Sequence, residues 1–256
     1  MWVQTRRAIA DLWLSQTCVF CDRASPESLC ASCWQQIQGS AAAQPPMLTA
    51  QALPVLTWGH YERQLKQAIA QLKYDGHPRL AESLGRALGE RWQATPIPTR
   101  QRPTVVPIPL HPEKLKARGF NQAALLAAAF CRQTGLPYCE HGLTRQRNTL
   151  PQFGLGADAR QTNLSDAFGV GRSLQQRQSP GPILLLDDIY TTGATVRSAA
   201  TTLRRQGFSV CGVVVLARAG LHSAPAKPPG LTSPKVRPAP KTPETKLASW
   251  GKFPDP

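Results

Sequence analysis

The sequence predicts an α/β protein built on a parallel sheet flanked by helices, with a small N-terminal zinc-binding module before it and a disordered C-terminal tail after it. Three observations carry this prediction. Between residues 55 and 221, apolar segments of strand character alternate with segments of helical periodicity, which is typical of a parallel sheet. Two C-x2-C pairs stand before residue 39. Residues 222–256 are dense in proline and lysine and have no apolar period, as disordered segments do.

Composition limits the class of protein and of partner. The 256 residues suffice for one substantial domain and a small accessory module, and 41% hydrophobic residues suffice for a core. The formal net charge of +15 favours a polyanionic partner, whether a phosphate ester, a nucleic acid or an anionic membrane. A generally basic surface is the simpler alternative. Residues 222–256 hold six basic and two acidic side chains, so most of the charge belongs to the part before them.

We expect no segment that crosses a membrane or directs export. No stretch reaches the roughly 18 apolar residues that span a bilayer. Residues 1–16 contain arginines and Asp11, lack a sustained apolar region, and are predicted to form a short amphipathic helix instead of a signal peptide. The expected location is the cytoplasm, where thiols stay reduced.

Four cysteines near the N-terminus form two C-x2-C pairs separated by eight residues. They are Cys18, Cys21, Cys30 and Cys33. Thiolates at this spacing can converge on one tetrahedral zinc ion, and four sulfur ligands leave no open position, so the metal would be structural. Because the spacer is shorter than the common 15 to 20 residues, two disulfides or a redox pair remain alternatives. Cys131, Cys139 and Cys211 lack such spacing and are predicted to be small core residues.

The first elements of the main domain follow a predicted linker. Residues 39–54 are rich in alanine and proline and carry no charge, as linkers often do. Residues 55–62 are predicted to form a strand. Residues 63–74 are predicted to form a helix, because Leu65, Ile69 and Leu72 share one face, and 80–92 a second helix.

The middle of the domain combines a buried strand, a basic segment and a helix. Residues 104–110 have the short apolar character of a buried strand. A basic segment, 111–120, leads into a helix over 121–135, whose end is marked by Gly135 and Pro137.

The last elements surround an acidic pair. Residues 182–188 are apolar up to two aspartates, as expected of a strand covered on both faces. A helix is predicted over 193–207, and 208–218 is predicted to be another buried strand.

The segment "LLLDDIYTTGAT" (184–195) is the strongest functional signal. Asp187 and Asp188 are predicted at the carboxyl end of a strand, where open α/β sheets bind ligands. The following threonines, Gly193 and the first amides of the helix suit a phosphate monoester. The carboxylates suit vicinal hydroxyls, with a divalent cation nearby to offset their charge. A diol close to a phosphate describes a ribose 5-phosphate.

Other interpretations of this segment account for less of it. An acidic pair that caps a helix explains one aspartate but not the whole string. A P-loop is excluded because G-x4-G-K-[ST] does not occur, and a dinucleotide fold is disfavoured because no G-x-G-x-x-G follows a strand.

The acidic pair with the threonine loop resembles the PRPP (5-phosphoribosyl 1-pyrophosphate) signature of type I phosphoribosyltransferases. Together with 105–127, 143–168 and the four-cysteine module, it resembles the ComF family, phosphoribosyltransferase-like proteins linked with natural competence and uptake of transforming DNA. The resemblance covers about residues 18–218. It implies a type I phosphoribosyltransferase-like sheet with an N-terminal zinc module.

The resemblance also implies roles for individual residues. Catalytic roles fall on Asp187, Asp188 and Arg118. The residues expected to bind PRPP are Asp187, Asp188, Tyr190, Thr191, Thr192, Gly193, Ala194 and Thr195. The residues expected to face the pyrophosphate or to close over it as a lid are Lys114, Lys116, Arg118, Arg147 and Arg160. For the arginines, positions on a solvated loop remain the alternative.

The resemblance leaves three functional hypotheses. In the first, the protein binds PRPP with Mg²⁺ and acts in competence, with single-stranded DNA and competence or helicase proteins as candidate partners. In the second, it is an active enzyme that transfers phosphoribosyl from PRPP to a nitrogenous acceptor, which no residue pattern identifies. In the third, it is a zinc-mediated nucleic-acid binder, which leaves the acidic string unexplained. Base stacking by tryptophans is a weak signal, since Trp34, Trp58 and Trp92 are more simply core residues.

No general base stands out in the sequence. Four of the five histidines are interpreted as structural or surface residues; they are His60, His77, His111 and His141.

Overall fold

The fold is organised around a five-stranded sheet, described by a computed structural model. The described residues are 16–41, 46–48, 53–145, 167–177 and 180–220. The strands of this sheet, in spatial order, are β3 (Met47–Leu48), β4 (Pro54–His60), β9 (Val210–Arg218), β8 (Ile183–Tyr190) and β5 (Thr104–Pro107). Strands β4, β9, β8 and β5 are parallel, and only the short edge strand β3 is antiparallel to its neighbour. The predicted parallel sheet is therefore confirmed.

Helices cover both faces of the sheet. The helices assigned among the described residues are α1 (Ala31–Gln38), α2 (Arg63–Tyr74), α3 (Leu80–Ala94), α4 (Pro112–Arg118), α5 (Gln122–Thr134), α6 (Arg172–Gln175) and α7 (Ala194–Arg205). Leu184 and Leu186 of β8 belong to the core on the side of α2, α3 and α5. Leu185 belongs to a second core on the side of α7. Alternate side chains of a strand point to opposite faces, so an uninterrupted apolar run serves both cores.

Helices α2, α3 and α5 form a closely packed layer. Helix α2 buries the stripe that its sequence predicts, with Leu65, Ile69 and Leu72 fully buried. Gly85 lets α3 approach α5, because a Cβ at this position would lie 2.6 Å from both the Ala129 Cβ and the Leu126 carbonyl oxygen. The α5 helix ends at Gly135, whose φ of 69° is the left-handed cap expected from the sequence.

The four-cysteine segment packs against this layer. It comprises the two-stranded hairpin β1 (Gln16–Thr17) and β2 (Ala24–Ser25), followed by α1. Cys18, Cys33 and Ile37 belong to the same apolar core as α2 and α3. The Trp34 ring lies 6.1 Å from the ring of Trp58. Trp58 and Trp92 are both buried, so the structure favours the core interpretation of these two tryptophans.

A second two-stranded sheet lies beside α7. Strand β6 (Leu143–Arg145) pairs antiparallel with β7 (Phe168–Val170). Leu143 and Phe168 are buried in the core on the α7 side of the main sheet.

The structure differs from the sequence predictions at three places. The basic segment 111–120 contains helix α4, which begins after His111 and ends at Gly119. Strand β8 runs two residues beyond the acidic pair, so Asp187 and Asp188 lie among its last four residues and not at its end. Part of the predicted linker, Met47–Leu48, pairs with β4 as an edge strand.

Several predictions fall on residues outside those described. They concern the amphipathic helix before Gln16, the segment 146–166 and the tail 222–256. Among the described residues, no helix combines the length and apolar character that a membrane crossing requires.

Candidate functional site

The acidic pair lies near the carboxyl edge of the parallel sheet. Asp187 and Asp188 are both buried, with 9% and 4% of their surfaces exposed. The Asp188 backbone amide donates to Asp187 Oδ1 at 2.9 Å, and the Ile189 amide donates to Asp188 Oδ1 at 3.0 Å. These bonds orient both carboxylates and leave oxygens that can accept from a ligand.

Lys73, in the last turn of α2, forms an ion pair with Asp188 through Nζ and Oδ2. Its side chain is 15% exposed, so this is a largely buried pair. The sequence analysis missed this residue. A signal was present, because Lys73 follows the buried Ile69 by one helical turn and therefore lies on the face of α2 that packs on the sheet.

A second basic side chain interacts with the pair from β6. Burial lowers the pKa of the Arg145 guanidinium, and the negative charge of Asp187 acts in the opposite direction. The Arg145 guanidinium also lies over the ring of Phe168, 5.4 Å from its centroid. Arg145 was not singled out in the sequence, although it lies two residues before the proposed lid residue Arg147.

The two aspartates do not have equal environments. Burial, and next the negative charge of Asp188, raise the pKa of Asp187 well above its ordinary value, whereas the Lys73 ammonium lowers it. The acidic pair therefore favours a ligand that offers hydrogen-bond donors, such as a diol, over one that brings further negative charge.

The threonine loop connects β8 to α7 as the sequence predicts. Thr191 and Thr192 are exposed, and α7 begins at Ala194. The loop turns at Gly193, whose φ is 75°. The first amides of α7 lack partners within the helix, which makes this turn suitable for an anion.

Two side chains support the loop. Tyr190 is buried beneath it, and the Tyr190 hydroxyl lies 2.2 Å from the position that a Cβ at Gly193 would take. Arg197 Nη1 donates to the Thr192 carbonyl oxygen at 2.5 Å. Arg197 thereby places a positive charge at the loop, and the sequence analysis did not assign it a role.

The basic segment after β5 approaches the site through α2. Arg118 Nη1 donates to Gln122 Oε1, and its guanidinium lies 5.2 Å from the centroid of the Tyr74 ring. Tyr74 follows Lys73 in the chain, so the end of α2 contacts both the acidic pair and α4. Lys114 and Lys116 are exposed on α4. Arg147 and Arg160 lie outside the described residues.

Carboxylate oxygens are the ligands that Mg²⁺ prefers, so Asp187 and Asp188 have the donor chemistry for this ion. The Lys73 ammonium, however, already contacts Oδ2 of Asp188. A metal bound directly to that oxygen would compete with a positive charge that the protein itself supplies.

The four cysteines of the N-terminal module converge as predicted. The sulfurs of Cys18, Cys21, Cys30 and Cys33 lie within 4.8 Å of one another. The Cys21 and Cys30 sulfurs are 3.6 Å apart, close to the edge of about 3.8 Å in a tetrahedron with Zn–S bonds of about 2.3 Å. All seven cysteines are free thiols in the structure, which does not contain the alternative disulfides.

The environment of Cys18 favours the thiolate. Burial opposes ionisation of this thiol, but backbone hydrogen bonds at Cys30, Phe20 and Cys21 lower its pKa to about 6. A thiolate is the form that binds zinc.

Comparison with known proteins identifies curated relatives. The chain is 29% identical over 215 residues to "DNA utilization protein YhgH" of Escherichia coli (strain K12), covering 78% of this chain and 89% of that protein. It is 30% identical over 168 residues to "Competence protein F" of Haemophilus influenzae, covering 63% of this chain and 71% of that protein. "Competence protein ComFC" of Bacillus subtilis is 27% identical over 191 residues, with 74% and 72% covered. No protein-family model matches the chain.

Two solved structures are similar at low TM-score. One is a glutamine PRPP amidotransferase from Bacillus subtilis, with 20% identity, a TM-score of 0.33, and coverage of 54% of this chain and 26% of that one. The other is an adenine phosphoribosyltransferase from Leishmania tarentolae, with 12% identity, a TM-score of 0.36, and coverage of 64% and 90%. Neither similarity bears on the individual residues of the site.

Proposed function

The chain belongs to the ComF family of competence-associated, phosphoribosyltransferase-like proteins, and from this membership we propose that it binds PRPP and acts in the cytoplasm in the uptake and use of transforming single-stranded DNA. Supporting this are the names of its relatives, competence proteins and DNA utilization proteins. The observation that carries the proposal of PRPP is the buried acidic pair followed directly by the threonine loop.

The spacing of this site fits a ribose phosphate. Asp187 and Asp188 offer oxygens to the 2- and 3-hydroxyls, while the turn around Gly193 and the amides of α7 receive the 5-phosphate. The acidic pair and the turn are separated only by the two residues Ile189 and Tyr190 and the two threonines, so both ends of a ribose 5-phosphate reach their partners at one edge of the sheet.

The pyrophosphate of PRPP would meet the basic side of the same edge. In the basic segment 111–120, Arg118 contacts Tyr74 of α2, the residue that follows Lys73. Lys114 and Lys116 would add positive charge from α4, and Arg147 and Arg160 would act as a lid. Mg²⁺ bound with the pyrophosphate would neutralise part of the charge of that group.

The test is PRPP binding measured by calorimetry with Mg²⁺ present. We expect Asp187→Asn with Asp188→Asn to weaken binding by about a hundredfold or more, because two charged hydrogen-bond acceptors of about 1.5–3 kcal/mol each are lost. Asp75→Asn is the matched control, since Asp75 is exposed after α2. Equal PRPP affinity in the wild type and the double variant contradicts the proposal.

An active phosphoribosyltransferase is the second candidate, favoured by the intact acidic pair and threonine loop. In this reaction a nitrogen nucleophile displaces pyrophosphate from C1 of the ribose, and the basic residues stabilise the leaving charge. An assay of pyrophosphate release with PRPP and a panel of nitrogenous acceptors separates the candidates. Release that depends on one acceptor supports the enzyme, whereas tight PRPP binding without release supports a sensor or scaffold.

The four-cysteine module completes the proposal as a structural zinc site. Its sulfurs lie within 4.8 Å of one another, and two of its members, Cys18 and Cys33, are buried in the core that they share with α2. Zinc would hold the hairpin and α1 together and do no chemistry.

A further inference from the structure

Lys73 places a positive charge directly at the acidic pair. Its ammonium contacts Asp188 Oδ2, and the two side chains are 15% and 6% exposed. A charge pair this deeply buried costs desolvation energy, which is recovered only when both partners are present. Removal of either partner leaves the other charge unpaired.

The backbone of Lys73 is fixed by the packing of its neighbour Leu72. Leu72 is fully buried in the core beneath α2. Tyr74 lies against the Arg118 guanidinium. The packing of α2 therefore brings the Lys73 side chain within reach of Asp188.

We infer that Lys73 is the resident counter-cation of the acidic pair, and that Asp187 and Asp188 do not bind a divalent cation directly. At Oδ2 of Asp188 a metal ion would have to displace the largely buried ammonium that already contacts this oxygen. Arg145, whose guanidinium interacts with Asp187, adds a second positive charge against the pair. A divalent cation that reaches this edge of the sheet arrives on the phosphates of the ligand.

The role of Lys73 toward the ligand rests on the proposed function. With Lys73 in place, the acidic pair carries less net charge, and a ribose diol can bind to it without a metal ion. The carboxylate oxygens accept from the diol while Lys73 prevents repulsion between the pair and the phosphates of the ligand.

The first experiment measures the binding of Mn²⁺, added without any other ligand, to the zinc-loaded full chain. Electron paramagnetic resonance detects the bound and the free ion. We expect the wild type and the double variant Asp187→Asn with Asp188→Asn to bind the same amount of Mn²⁺, because the aspartates of the wild type bind none. We expect Lys73→Met to gain one Mn²⁺ site, which disappears when Asp188→Asn is added. Mn²⁺ bound by the wild type at the aspartates overturns the inference, and so does a folded Lys73→Met that gains no site.

A folding defect of Lys73→Met does not remove the test. The measurement on the wild type needs no variant of Lys73, and Lys73→Gln is a second, milder replacement. Thermal unfolding of each variant shows whether it is folded before Mn²⁺ is added.

The second experiment measures the PRPP affinity of the zinc-loaded protein with Mg²⁺ and without any added divalent cation. We expect Lys73→Met to lower PRPP affinity about tenfold or more without added divalent cation and less with Mg²⁺, and Lys73→Arg to restore much of it; an equal loss under both conditions would contradict the inference. Lys66→Met is the control on the same helix, because Lys66 lies over the Tyr61 ring and not at the acidic pair. If the wild type does not bind PRPP at all, the proposed function fails while the Mn²⁺ result still decides the role of Lys73.

Discussion

Gly193 determines the shape of the loop that faces the proposed phosphate. Its φ of 75° is a left-handed conformation that residues with a Cβ seldom adopt. A Cβ would also lie 2.2 Å from the Tyr190 hydroxyl and 2.9 Å from Arg197 Nη1. The buried tyrosine beneath the loop and the arginine that holds it can therefore both be in place only with glycine at this position.

We expect Gly193→Ala to lower the stability of the protein by about 2–3 kcal/mol, since backbone strain and a steric clash add together. Gly207→Ala, at the other end of α7, is the matched control. Gly207 has a φ of 83° but no atom within 4 Å of its Cβ position, so only the backbone cost of about 1 kcal/mol remains. Thermal or urea unfolding measures both, and equal losses would show that the contact with Tyr190 does not matter.

At the scale of elements, the agreement between sequence and structure depends on how local the cause is. Helix α2 spans the predicted residues 63–74, because its apolar stripe is encoded within the helix itself. The basic segment 111–120 was not predicted to contain a helix. In the structure His111 caps α4 by accepting from the Glu113 amide, Pro112 occupies its first turn, and Gly119 ends it with a φ of 82°. These signals were present in the sequence, but the segment lacks the apolar period that identifies a packed helix.

The four-cysteine module is the element whose stability we expect to depend on a ligand outside the chain. We expect about one zinc per chain by metal analysis, and its loss in Cys18→Ser together with a lower melting temperature. Cys211→Ser is the control, since its Sγ lies outside the cluster and donates to the Ile183 carbonyl oxygen. Absence of zinc from protein purified without chelator contradicts the assignment.

The affinity of the same module for zinc is expected to depend on pH. Zinc binds thiolates, so protons compete with the metal, and affinity for zinc falls as the pH falls. Burial raises the pKa of Cys33, so protons compete with zinc already above neutral pH, whereas the pKa of Cys18 lies at about 6. We therefore expect zinc affinity to fall with pH over the whole range and more steeply below about pH 6, where Cys18 is also protonated, measured by competition with a chromophoric chelator.

At the scale of the whole molecule, the net charge of +15 is the property that favours binding to nucleic acid. We expect affinity for single-stranded DNA to fall by tenfold or more between about 50 and 200 mM salt, as contacts with phosphates release counterions. Removal of residues 222–256 takes away six basic and two acidic side chains, so the salt dependence should weaken but persist. Affinity that is independent of salt, measured by fluorescence anisotropy, contradicts a role in binding DNA.

The sequence by itself determined the alternation of strands and helices, the four-cysteine cluster, and the acidic pair followed by a threonine turn. Each of these depends on residues that are neighbours in the chain. For such residues, spacing and residue type are enough to predict the local structure and chemistry. Only the tertiary structure decided which charges meet. Lys73 and Asp188 are far apart in sequence, and Arg145 and Asp187 lie on strands of different sheets. The pairing of these charges follows from how α2 and β6 pack around β8, and no local pattern encodes that packing. The sequence thus identifies the acidic pair, and the fold supplies the positive charges that balance it.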